Sequence, residues 1–327
     1  MSAPFPPLVA TTDRVGTDLD VSVGAWGLLT ALVIVMLVVD LLIFGRGRRE
    51  VTLRESVIWS VVWIALAFGF WLVMWAWQGA GAGSEYLAGY LLERSLSLDN
   101  IFVFAIIFGY FAVPAAVQPR VLAWGIALAL TLRLAFIVAG AALLANFHAT
   151  FYLFGALLLY TAYKLARHDD TDIEPEHNPA LRLVRKHVPM TADYRGHRLF
   201  TTENGRRVAT PLLAVFVVVA TTDLIFAIDS IPAIFAITQE PFVVFAANAF
   251  AMLGLRELYF VLVGMMDRFV YLSQGLAVIL AVIGVKMLLI DVWHPPIWLS
   301  LAIIAAVLAA TAALSLRAAP PEAPREA

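Results

Sequence analysis

Nine stretches of about twenty or more mainly apolar residues follow one another along this chain: 24–44, 56–77, 86–113, 120–144, 148–166, 209–237, 241–265, 271–291 and 297–316. Each is long enough to cross the hydrocarbon of a bilayer as a helix, which needs about 20 residues. A segment in lipid must satisfy its own backbone hydrogen bonds, so the pattern predicts an all-α polytopic membrane protein. Composition agrees. Hydrophobic residues make up 62% and charged residues 14% of the 327, against about 25% charged in soluble domains. So few charges cannot cover a water-facing surface. The chain has no cysteine, which removes disulfides, thiolate metal sites and cysteine nucleophiles together. A net charge of -2 implies no bulk electrostatic partner, nucleic acid included. The start, MSAPFPPLVATTDRVGTDLD, carries three Asp, one Arg and no apolar core, and is expected to be a tail rather than a cleaved signal.

Lys and Arg set the expected orientation. Of 22 such residues, 17 fall on one side, in connections 45–55 and 167–208 (with Lys164 at its edge), at Arg120 and Arg268, and in the C-terminal tail. Arg14 alone falls on the other. The N-terminus is therefore expected outside and the C-terminus in the cytoplasm. The connection 167–208 opens on the acidic HDDTDIEPEHN and continues with a basic half, LRLVRKHVP. It reads as a solvated linker whose basic half rests on anionic lipid headgroups.

A weak duplication runs through the middle of the chain. ERSLSLDNIFVF at 93–104 and DLIFAIDSIPAI at 223–234 each place an acid, five residues, then Asp followed by Asn or Ser. An arginine follows in the next span (Arg133, Arg256) and a lysine ends the one after (Lys164, Lys286). Spans of 86–166 and 209–291 are thus candidate three-helix repeats, the second inverted in the membrane. Residues 1–23 form an outer tail, 24–77 two accessory helices, 297–316 a final helix and 317–327 a cytoplasmic tail. Inverted repeats around a midplane site are a mark of secondary transporters.

Charges at bilayer depth are costly and mark sites or buried pairs. The spans hold Asp40, Glu93, Asp99, Asp223, Asp229 and Glu257 against Arg94, Arg133, Arg256 and Lys286. The excess of two negative charges suits one divalent cation or protonated carboxyls. Six residues of helix set the two acids of each motif about 120° and ~9 Å apart. Either the helix breaks, as Pro232 suggests for the second motif, or the acids do different work. Glu93, Asp99, Asn100, Asp223, Asp229 and Ser230 offer hard oxygen ligands that fit Mn²⁺, Ca²⁺ or Mg²⁺. Structural pairing is the competing reading: Asp99 with Arg133, Asp229 with Arg256, Glu93 with Arg94. Asp40 is expected to snorkel at the cytoplasmic face, Glu257 to face away from the site, and Lys286 to snorkel at a span end. Trp59, Trp63, Trp71, Trp75 and Trp77 read as lipid-facing packing and an interfacial belt.

The two motifs, with FAVPAAVQPRVLAWG and NAFAMLGLRELYF, resemble the TerC family of integral membrane proteins, in its Alx-like branch. The likeness covers most of 24–316. It implies a bacterial inner-membrane protein that exports Mn²⁺, in a family named for tellurite resistance. It also implies that Glu93, Asp99, Asn100, Asp223, Asp229 and Ser230 line the ion pathway. Many members carry Glu three residues before the first Asp of the second motif, where this chain has Ala220. The expected function is thus divalent-cation export by proton antiport, with no resident cofactor and no enzymatic activity. The alternatives are a membrane-assembly factor for exported or metal-loaded proteins and a tellurite transporter. No G-x-x-x-x-G-K-[ST] phosphate loop and no G-x-G-D protease motif occurs. The oligomeric state is left open.

Overall fold

A computed structural model describes residues 19–45, 52–167, 178–196, 198–203, 205–263, 271–293 and 295–318. Ten helices and one short hairpin account for nearly all of them. These are α1 (Val23–Gly45), α2 (Leu53–Tyr110), α3 (Gln118–Asn146), α4 (Ala149–Arg167), α5 (Pro179–His187), β1 (Phe200–Glu203), β2 (Arg206–Ala209), α6 (Pro211–Phe235), α7 (Pro241–Met252), α8 (Leu255–Val263), α9 (Leu272–Leu288) and α10 (Ile297–Arg317). Among the described residues six helices are long and apolar enough to cross a bilayer, seven if the bent pair α7–α8 is one span. The protein is an all-α membrane protein. Its outer surface carries large apolar side chains such as Leu28, Val61, Leu153 and Trp298, all more than half exposed, which lipid accommodates and water would not.

The difference from nine expected spans has local causes. Segment 56–77 and all but the last three residues of 86–113 fall within the single 58-residue run α2, which turns at Gly79 with φ 87°. Its two arms fold back on each other. Tyr86 Oη donates to the Ala67 carbonyl at 3.2 Å, the rings of Phe70 and Tyr86 lie 5.1 Å apart, and a Cβ on Gly83 would stand 3.0 Å from that of Trp75. Segment 241–265 divides into α7 and α8, bent by 42°. Segment 271–291 yields only the 17 residues of α9.

The bend between α7 and α8 turns on Gly254, at φ +81°. Trp63, from the first arm of α2, fills the space where a side chain would go, with its ring and Cβ 2.7 Å from an added Cβ. Trp63 is therefore a buried packing residue, a correction to the lipid-belt reading, whereas Trp75 and Trp77 are about half exposed as expected. A break leaves carbonyls without helical partners. Arg94 answers two of them, donating from Nη1 to Ala251 O at 2.7 Å and Leu253 O at 3.3 Å. Gly254→Ala would combine a left-handed strain of about 1–2 kcal/mol with a clash against Trp63. We expect it to lower the thermal unfolding temperature of the detergent-purified protein, with a total loss of about 3 kcal/mol.

The expected break near Pro232 does not occur. α6 runs unbroken from Pro211 to Phe235 with Pro232 inside it. α2 has no non-helical residue other than Gly79, so Glu93 and Asp99 also share one continuous helix.

The connection 167–208 is more ordered than a linker. Asn178 caps α5, its Oδ1 accepting from the amides of Ala180 and Leu181 at 3.0 and 3.1 Å. Its Nδ2 donates to Thr221 Oγ1 on α6 at 2.9 Å. Tyr194 Oη donates to Phe111 O at 2.7 Å, and burial pushes that phenol up to about 12. The polar segment is thereby fastened at two points to the helical body. Most of its acidic first half, 168–177, lies outside the described residues.

Candidate functional site

Helical phase decides which acids face inward. On α2 the buried positions Glu93, Ser97, Asn100 and Phe104 recur every three or four residues, which places them along one face. On α6 Val215, Val219, Asp223, Ala227 and Ser230 do the same. On α3 the inward face holds Ile126, Ala129, Arg133, Ile137 and Gly140. Asp99 and Asp229 stand off their stripes and are only partly buried. The six-residue spacing thus separates the two acids of each motif into different environments.

The three inward faces meet at Arg133, which is 1% exposed. Its Nη1 donates to Glu93 Oε1 on α2, to Asn248 Oδ1 on α7 at 2.7 Å and to Ser230 Oγ on α6 at 3.2 Å. Its Nη2 lies 3.6 Å from Asp223 Oδ1, an ion pair without a hydrogen bond. The first acid of each motif, Glu93 and Asp223, therefore converges on a single guanidinium. The expected pairs Asp99–Arg133 and Glu93–Arg94 do not form. Arg94 points to the α7–α8 break, and Arg133 reaches the inward acids. Glu93 Oε2 and both Asp223 oxygens are buried without hydrogen-bond partners. A narrow apolar crevice between α2, α3 and α6, lined by residues such as Phe104, Ile126 and Val219, has Asp223 in its wall.

Asn248 is the site residue that the sequence pattern did not single out. Its signal was an amide alone in the apolar run PFVVFAANAFAM. Asn100 lies on the Glu93 stripe two turns further along and is buried.

Asp229 sits elsewhere. Thr161 Oγ1 on α4 donates to its Oδ1 at 2.8 Å, and Lys164, three residues on, acts on it electrostatically. It does not pair with Arg256. That arginine, 2% exposed, binds Asp40 and Glu257 through Nη2, and its Nε donates to Glu257 Oε1 at 3.1 Å. One expectation is corrected here. Asp40 does not snorkel, because Leu29, Val33, Met36 and Asp40 form the buried stripe of α1. Glu257 lies outside the Glu93–Asp223 centre, 1% exposed and held by its neighbour Arg256. Lys286 donates to Ser300 Oγ on α10 at 3.2 Å. Among the described residues no three His, Asp or Glu side chains are grouped so as to hold a metal ion. A cation at Glu93 and Asp223 would need Arg133 to give way.

The helices and their buried charges define a polytopic integral membrane protein with an ionisable interior. The chain belongs to the Integral membrane protein TerC family, which it matches over residues 78–322. It is 42% identical over 308 residues to the "Putative membrane-bound redox modulator Alx" of Escherichia coli K12, covering 91% of this chain and 94% of that one. It is 45% identical over 295 residues to the uncharacterized membrane protein STKORF319 of Myxococcus xanthus, covering 90% and 92%. A membrane protein of Mycobacterium bovis, Mb2742, is 46% identical over 274 residues, covering 81% and 69%. No solved structure matches the chain.

Proposed function

We propose that the chain is a secondary transporter that exports a divalent cation, most simply Mn²⁺, in exchange for protons across the bacterial inner membrane. One observation carries this reading: Glu93 and Asp223, the first acids of two related motifs, meet at Arg133 with carboxylate oxygens left free in a buried place. Free carboxylate oxygens in lipid are expensive unless a positive charge visits them. Oxygen donors of this kind suit hard cations.

Arg133 then acts as a tethered stand-in for the cargo. An arriving ion takes the Glu93 and Asp223 oxygens, and the guanidinium withdraws toward Asn248 and Ser230. When the ion leaves, Arg133 or protons neutralise the carboxylates. Asp99 and Asp229, off the inward stripes, are positions for the ion before or after this step, with Asn100 beside Asp99 on the inward stripe. The packing supports a two-repeat exchange. α2, whose second arm carries the first motif, lies against α7 and α8, α3 against α6, and α4 against α9. First meets second, second meets first and third meets third, as two repeats related by a two-fold axis would. An N-terminus outside and a C-terminus in the cytoplasm complete the proposal. The E. coli relative's name speaks of redox modulation; with no cysteine, this chain would affect redox balance through its cargo and not by thiol exchange.

The test is flux into liposomes holding a Mn²⁺-sensitive dye, with and without a pH gradient. Wild type is expected to give gradient-dependent flux. Glu93→Gln and Asp223→Asn, at matched incorporation, are expected to lower it at least about 100-fold, since each removes a charged ligand. No flux of Mn²⁺, Ca²⁺ or Mg²⁺ above empty liposomes, from folded wild type, would refute transport and favour the assembly-factor reading.

A further inference from the structure

The second arginine centre does something the first does not. Arg133 keeps its two acids apart: Glu93 is on Nη1 and Asp223 on Nη2. Arg256 gathers its two acids on one nitrogen, with Asp40 Oδ1 and Glu257 Oε1 both accepting from Nη2. Two acids held by one nitrogen stand within a few ångströms of each other, and a proton on one of them lets the pair replace repulsion by a hydrogen bond. Glu257 Oε2 is buried without a hydrogen-bond partner, a lone acceptor inside the same cluster.

We propose that Asp40 and Glu257 share one proton and form a proton-binding site separate from the Glu93–Asp223 centre. With one proton, the pair carries a single negative charge, and Arg256 balances it. Without it, two carboxylates in contact repel each other in a medium that screens poorly. The surrounding helices offer few competing charges. Arg94 on α2, beside Tyr90, acts on Glu257 electrostatically while its own hydrogen bonds go to the α7–α8 break. α7 carries no titratable side chain. α3 brings Arg133, engaged with Glu93, and Arg120 in its first turn.

The site has a structural consequence. Asp40 comes from α1, which precedes the family match at 78–322, so a helix outside that region supplies one half of the proton site. Asp40 lies five residues from the end of α1 at Gly45, close to one face of the membrane. Its use as the proton-release point facing the cytoplasm rests on the exchange reading given above; the binding of the proton does not.

Infrared difference spectroscopy of the protein in liposomes, between acidic and alkaline buffer, separates the two. Wild type is expected to show the carbonyl band of a protonated carboxyl, shifted in D₂O, at some pH in the range. Asp40→Asn and Glu257→Gln are each expected to abolish that band, and Glu93→Gln to keep it. Each of the first two variants leaves Arg256 one carboxylate partner, so assembly is expected to survive. A band that persists in both, or that disappears only with Glu93→Gln, overturns the proposal. So does a wild-type spectrum without the band at any pH, which decides the matter even if a variant fails to assemble. Absent Mn²⁺ flux with the band lost as described would refute the exporter and leave the proton site standing.

Discussion

Arg133→Leu is expected to destabilise the protein by about 3–5 kcal/mol and to remove most of it from the membrane. That is the range for breaking a buried ion pair by deleting one partner. The arginine is 1% exposed and holds side chains from three helices: Glu93 on α2, Asp223 and Ser230 on α6, Asn248 on α7. Leucine would fill part of the volume. It would leave two buried carboxylates without their counter-charge, and Glu93, an amide and a hydroxyl without their donor. The compensating variant is the decisive comparison. Arg133→Leu combined with Glu93→Gln and Asp223→Asn removes the orphaned charge, and most of the lost stability should return. Thermal unfolding in detergent, with membrane abundance by immunoblot, measures both. A single variant as stable as wild type would mean that the three helices are held by apolar packing alone.

The part of this site legible in the sequence is the set of participants and not their pairing. Glu93, Asp223 and Arg133 stand out because ionisable residues are rare at bilayer depth, and the repeat of acid, arginine and lysine ties them together. The spacing within each motif already says that Glu93 and Asp99 point about 120° apart. It does not say which one faces inward. In a soluble helix the polar face would settle that, but α2 and α6 are apolar all round and give no amphipathic signal. The buried face is set by neighbours that the sequence does not name. The same gap explains Asp40. Leu29, Val33 and Met36 place it on the inward stripe of α1, yet every other face of that helix is equally apolar. Proline was a poor guide to the break. Pro232 sits in the last turn of α6, where it interrupts little, whereas Gly79 and Gly254 provide the positive φ that a reversal or bend requires.

The two arginine centres share a composition, one guanidinium and two carboxyl groups, and occupy equivalent places in the motif order. Their geometry differs because their acids come from different sources. At Arg133 both acids belong to the paired motifs and approach from opposite helices. At Arg256 one acid is the adjacent residue and the other belongs to α1, outside the repeats. In the proposed exchange the first arrangement keeps two separate carboxylates for an ion to bridge and the second holds a proton between two carboxyls, so that cargo and coupling fall to two related centres.

Gly155→Leu is expected to be as damaging as the loss of Arg133, for a steric reason. α4 and α9 cross with backbone against backbone. A Cβ on Gly155 would lie 3.0 Å from the Gly284 carbonyl oxygen and 2.9 Å from Leu288 Cδ2, and one on Gly284 would lie 3.0 Å from the Gly155 carbonyl oxygen. Small residues that let helices approach this closely are a main source of association in lipid, where no hydrophobic force draws helices together. Alanine at 155 asks for a shift of a few tenths of an ångström and should cost about 1–2 kcal/mol. Leucine must push the helices apart and is expected to cost about 4 kcal/mol, because the dispersion attraction along the whole crossing weakens with the separation. The damage should reach the second motif, because α4 also carries Thr161, six residues along, whose hydroxyl holds Asp229. Gly69→Ala provides the control. Nothing lies within 4 Å of a Cβ there, so alanine's better helix propensity should leave stability unchanged or raised by up to about 1 kcal/mol. Thermal unfolding of the three variants side by side is expected to rank them Gly69→Ala, Gly155→Ala, Gly155→Leu in falling stability. If Gly155→Leu unfolds with Gly69→Ala, the α4–α9 crossing is not fixed by its glycines, and Thr161 owes its place beside Asp229 to α6 alone.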